Sequence, residues 1–325
     1  VYVHNNGKFN LAGGEISESS FTNQESGAVV IDGGEMVMMS GSIHNNDAAN
    51  GIASAGVMVC ENSLFTMSGG TIADNTAKRG GAVHVGVFDT VYNADTSAKF
   101  VMSGGVISGN VASPITSDVN AGGGGVFVED NGEFEMTGGT ISGNKTLGSG
   151  MGGGVATANE KQNGGGRFTM NGGTISGNFA SNGGGVYSCS QTDAVVLNAG
   201  SITGNSADSS GGGVYVSTYG YGLTINSALV TGNTAAIMGG GVWSCPTGTV
   251  TLGAHSAVFG NKADKAGDDV AFLDKQSGGY YSTVSGEMLG GGRVTWYKDN
   301  WVNSQNGQMQ FGTNGNTRFD AANPD

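Results

Sequence analysis

The stretch Phe134-Glu-Met-Thr-Gly-Gly-Thr-Ile-Ser-Gly-Asn144 returns as Phe168-Thr-Met-Asn-Gly-Gly-Thr-Ile-Ser-Gly-Asn178, and again at 100–110 and 65–75. Weaker copies open at Phe9, Met36, Val195, Leu223 and Val250, so successive copies begin 27, 29, 35, 34, 34, 27, 28 and 27 residues apart. After each copy comes a glycine cluster and a short apolar triplet, as in Gly183-Gly-Gly-Val-Tyr-Ser188, Gly211-Gly-Gly-Val-Tyr-Val216 and Gly239-Gly-Gly-Val-Trp-Ser244. A period of this size marks a solenoid built from stacked units.

Each unit holds three strand-like pieces, Φ-x-Φ, then Thr-Ile-Ser, then Val-x-Val, with Gly or Asn at each junction, where a positive φ is cheap. None is long enough for a helix. Three strands per coil, stacked on themselves, predict a right-handed parallel β-helix of about nine rungs spaced about 4.8 Å apart. Alternation predicts inward columns: the phenylalanines 65, 100, 134 and 168, the methionines 67, 102, 136 and 170, the isoleucines 72, 107, 141 and 175, and the valines 126, 155, 186 and 214. The turn asparagines 46, 75, 110, 144, 178, 205, 233 and 261 predict a ladder running from rung to rung. The period stops after Phe272, which divides the chain into repeats at 1–272 and a C-terminal cap or closing segment at 273–325.

Composition agrees. Of 325 residues 63 are glycine and only three are proline, which excludes collagen and Pro/Gly-rich disorder. A net charge of −13 with no basic cluster argues against nucleic acid as a partner. No apolar run is long enough to span a membrane as a helix, so no membrane insertion is expected. The first residue falls inside a strand-like segment, as in a mature or excised portion of a larger chain. No zinc-ligand spacing occurs. Cys60, Cys189 and Cys245 each follow a Val-x-Val triplet; Cys189 and Cys245 are two rungs apart, beyond disulfide reach, so three thiols are expected.

The glycine-rich repeats followed by GGGV-Tyr/Trp resemble right-handed β-helix regions of large, secreted, wall-attached adhesin-like proteins of Gram-positive gut-type bacteria. The closing segments Ala266-Gly-Asp-Asp-Val270 and Trp296-Tyr-Lys-Asp299 also look like the ends of such arrays. The resemblance covers about residues 9–300. It implies an extracellular, cell-surface location and further domains of the same polypeptide.

Function on such a scaffold falls on outward columns and on loops that break the period. The middle residues of the Val-x-Val triplets form an outward column, Val30, Met58, His84, Phe127, Ala156, Tyr187, Tyr215, Trp243 and Ala271. Its aromatics Phe127, Tyr187, Tyr215 and Trp243, widened by Tyr219 and Tyr221, are expected to be exposed and to bind the ligand, suited to sugar rings or a host surface protein. The second candidate is the set of enlarged central segments, whose carboxylates Asp89, Asp95, Asp118, Glu129, Asp130 and Glu160 could act in pairs in glycoside hydrolysis or a lyase reaction. No nucleophile, base and orienter assemble from the sequence. No cofactor is expected; acidic loops suit calcium, but the glycine-rich calcium repeat is absent. The expectation is an adhesive or carbohydrate-binding module, with a glycan-processing enzyme and a passive stalk as alternatives.

Overall fold

The computed structural model describes residues 1–21, 27–48, 54–86, 97–113, 122–158, 165–190, 194–217, 221–245, 248–253, 255–265 and 267–272, together with the short strands 283–284, 301–302 and 310–311. It is a right-handed parallel β-helix, with no helix among the described residues. Ten strands, from Tyr2–His4 to Val270–Phe272, build the first sheet. The Φ-x-Φ and Thr-Ile-Ser strands share a second sheet, and in places run as one long strand such as Arg167–Ser176. After Phe272, Thr283–Val284 still pairs in parallel beside Leu252, and Trp301–Val302 pairs antiparallel with Gln310–Phe311.

The register follows the repeat. Phe100 lies between Phe65 and Phe134, and Met102 between Met67 and Met136. The rings of Phe65, Phe100, Phe134 and Phe168 stack face to face, with centroids 4.7, 4.7 and 4.9 Å apart. These columns, with the isoleucines and valines, form one continuous buried core.

A third sheet of eight short strands was not among the three pieces expected from the sequence. It follows each turn asparagine, from Asp47–Ala48 to Lys262–Ala263. Most of its strands have only two residues, too few for alternation to announce them. Their mark is Asn-x-Ala, in which the alanine (Ala48, Ala77, Ala112, Ala180, Ala207, Ala235, Ala263) is buried.

The asparagine ladder is present. Asn144 Oδ1 accepts from Asn110 N and Nδ2 at 3.0 and 2.9 Å, and Asn178 Oδ1 accepts from Asn144 N and Nδ2 at 2.9 and 3.0 Å. The same pattern runs from Asn46 to Asn261. Each amide also donates to an isoleucine or valine carbonyl one rung back, as Asn144 Nδ2 does to Ile107 O at 3.0 Å. Buried amides this well satisfied hold the rungs in register.

The second glycine of the pairs that follow Met67, Met102, Met136 and Met170 is required by the methionine of the rung before. A β-carbon on Gly139 would lie 2.6 Å from Met102 Cε, and Gly139 has φ +86°. The same holds for Gly105 beneath Met67 and Gly70 beneath Met38. Where the column changes to Leu197 and Ile225, the corresponding residues one rung on are Ala228 and Ser256. The repeat itself thus trades methionine-with-glycine for a shorter side chain with a β-carbon.

Candidate functional site

Segment length varies mainly on one side. Within the repeats, the long segments 87–96, 114–121 and 159–164 lie next in sequence to the first-sheet strands, whereas the turns joining the second and third sheets keep a constant length and end in the ladder asparagine. The outer face of the first sheet is therefore where candidate chemistry collects.

The outward column has the expected register: His84 pairs with Phe127, Tyr187 with Tyr215, and Tyr215 with Trp243. Its expected exposure is corrected. Phe127, Tyr187 and Trp243 are 0, 3 and 6% exposed, and only Tyr215 is half-buried. The column residues pack with one another and with apolar side chains beside them. Phe127, Ala156, Tyr187 and Cys189 pack with Met151, Tyr215 and Tyr221, while Trp243 and Ala271 pack with Met238, Cys245 and Tyr215. Burial of large rings is strongly favourable, and the methionines and cysteines lie just outside the strict repeat, close enough to pack against them.

Within this layer Tyr215 is held between two rings, its centroid 5.2 Å from Tyr187 and 4.1 Å from Trp243, both near parallel. Tyr187 Oη donates to Ser217 Oγ at 3.1 Å. Burial pushes the Tyr187 phenol well above its ordinary value, and raises Tyr215 and the Cys189 thiol too. Trp243 Nε1 is buried without an acceptor among the described residues. Tyr221 is half-buried; Tyr219 lies outside the described residues.

Beyond Phe127 the layer turns polar. His84 Nε2 lies 2.9 Å from Glu129 Oε1, and Arg79 Nη1 lies 3.3 Å from Glu129 Oε2. The three side chains are 0, 4 and 13% exposed for His84, Glu129 and Arg79. The Arg79 guanidinium sits 5.8 Å from the Phe127 ring centre, and the His84 ring meets the same ring edge-on at 5.3 Å. Gly86 makes room: a β-carbon there would lie 2.8 Å from Glu129 Cγ.

Of the loop carboxylates, Glu129 and Asp130 are buried, and Asp89, Asp95, Asp118 and Glu160 lie outside the described residues. Glu129 has both oxygens committed to cations or a histidine, which suits a structural anion better than a group reaching for substrate. Sequence reasoning missed Arg79 and the pairing of His84 with Glu129. The signal was available: His84 and Glu129 both occupy outward positions, one rung apart and two residues along.

Among the described residues no group of His, Cys, Asp and Glu could hold a metal ion. The three cysteines are present as thiols, with Cys189 and Cys245 buried. Among the described residues no helix is long and apolar enough to cross a membrane. Comparison of the chain with protein-family models, with curated proteins and with solved structures gives no match.

Proposed function

We propose that this chain is a non-enzymatic, carbohydrate-binding β-helix module of an adhesin-like bacterial surface protein, with its contact site at the Tyr215 end of the outer aromatic layer. The observation that carries the reading is Trp243 Nε1, a buried donor without an acceptor among the described residues, beside the half-open ring of Tyr215. An unmet donor of this kind costs about 1–3 kcal/mol, which a ligand hydroxyl accepting from it would recover. A tyrosine face next to such a donor suits a sugar, which offers C–H groups to the ring and oxygens to the N–H. Tyr187 serves in this reading as the base on which Tyr215 rests, and Phe127 lies farther along the same layer, two rungs beyond Tyr187.

A glycan array with the purified chain and its Trp243→Phe and Tyr215→Ala variants tests the proposal. Phenylalanine keeps the ring and removes the donor. Saturable binding weakened about tenfold or more in Trp243→Phe, with thermal stability kept, supports it. Binding unchanged in both variants, or no glycan bound by the parent chain, overturns it and returns the module to the spacer reading. One observation favours that second reading: the outer face of the second sheet carries a surface file of linked amides, Asn171, Asn198 and Asn226.

A further inference from the structure

The glycine cluster before each first-sheet strand leaves room for the rung that follows. A β-carbon on Gly213 would lie 3.0 Å from Asn233 Nδ2, and one on Gly241 would lie 2.7 Å from Asn261 Nδ2. The glycine one place earlier is crowded instead by the backbone of the next third-sheet strand. Gly240 faces Lys262 in this way, and Gly212 faces Thr234. In every rung that another rung follows, these two positions hold nothing larger than glycine or alanine, the alanines being Ala28, Ala55 and Ala82.

In the last described rung of the third sheet these two positions are Asp268 and Asp269, in register with Gly240 and Gly241. Asp269 Oδ1 accepts from Asn261 N and from Asn261 Nδ2, both at 2.9 Å. These are the two bonds that every earlier ladder asparagine gives to the asparagine of the following rung. Asp268 Oδ1 accepts from Ala263 N at 2.9 Å, so the last third-sheet strand also finds an acceptor where, among the described residues, no further strand pairs with it.

We infer that Gly267-Asp268-Asp269-Val270 is the stop signal of the repeat, its two carboxylates standing in for the asparagine and the strand carbonyl of a next rung, which the third sheet lacks among the described residues. The chemistry suits the role. Asparagine accepts and donates, so it passes the ladder on; a carboxylate only accepts, so it ends it. A charge at an open sheet edge also discourages pairing with another strand. Burial raises the Asp269 carboxyl, and the two Asn261 donors hold it down in part. At the opposite end Ser19 stands in the asparagine register and only feeds the ladder, donating its backbone N–H to Asn46 Oδ1 at 3.1 Å.

Amide hydrogen exchange on the full chain tests this. Asp269→Ala is expected to lower protection at the Asn261 N–H about tenfold or more, and Asp268→Ala to do so at the Ala263 N–H, each leaving the central rungs unchanged. Asp269→Asn retains an acceptor oxygen and is expected to keep protection at Asn261. Unchanged protection in either alanine variant overturns the inference. So does a loss at Asn261 as large in Asp269→Asn as in Asp269→Ala, because the shared acceptor would then be irrelevant.

Discussion

The Cε of Met102 occupies the space that a β-carbon on Gly139 would need, 2.6 Å from where that carbon would stand. Two residues 37 positions apart in sequence are thereby coupled through the stacking of neighbouring rungs. The coupling predicts a non-additive pair. Gly139→Ala alone should destabilise by about 1–3 kcal/mol, from overpacking and from the positive φ. Met102→Leu in the same chain should restore part of that loss, since Leu197 already faces Ala228 in a later rung. A double-mutant cycle by denaturant unfolding measures the interaction. Additive effects would show that the methionine does not impose the glycine.

The asparagine ladder predicts a larger and more local penalty. Asn144→Ala removes the acceptor of Asn110 N and Nδ2 and the Nδ2 donor to Ile107 O and Asn178 Oδ1, while the backbone N–H keeps its bond to Asn178 Oδ1. The loss should be about 2–5 kcal/mol, more than one ordinary hydrogen bond, because buried partners are left without replacement. Asn171, on the exposed outer face of the second sheet, also bonds to a neighbouring asparagine, yet Asn171→Ala should cost under about 0.5 kcal/mol since water replaces the bond. Thermal unfolding of the two variants side by side separates them.

What made the fold readable was the repetition of a period-2 pattern in every copy. Phe100, Met102 and Ile107 fall inward because each has the same neighbours above and below. The third sheet escaped because Asn110-Val-Ala112 is too short for alternation, although Asn-x-Ala recurs almost throughout. The aromatic column was placed on the correct face and given the wrong exposure. Register says which way Tyr187 and Trp243 point, but not that they pack with Met151, Met238, Cys189 and Cys245, which sit beside the repeat pattern. The Arg79, Glu129 and His84 cluster was hidden for the same reason: its members belong to different pieces of neighbouring rungs.

That cluster predicts an asymmetry between its members. Glu129→Ala leaves Arg79 and His84 without their shared anion in a buried place and should cost about 3–5 kcal/mol. His84→Phe keeps an aromatic against Phe127 and leaves the Arg79–Glu129 pair intact, so it should cost clearly less. Urea denaturation at neutral pH compares the two. Equal losses would mean that His84 is as necessary to the charge arrangement as Glu129.

Tyr187 predicts an alkaline limit to stability. Its phenol is raised well above the ordinary value of 10.0, chiefly by burial, with the nearby Cys189 adding to the rise and the bond to Ser217 opposing it. A tyrosine whose folded pKa exceeds its unfolded one is held protonated by the fold. Its contribution is therefore complete below the unfolded value, and it declines as pH climbs from about 10 toward the folded value. Tyr215, raised in the same direction, acts with it. The absorbance of tyrosinate, followed with pH alongside circular dichroism, should show a fraction of the nine tyrosines that ionises only as the β signal is lost. Tyr187→Phe should shift unfolding to higher pH. If every tyrosine ionised reversibly near pH 10 with the β signal intact, the outer aromatic layer would have to be open to solvent.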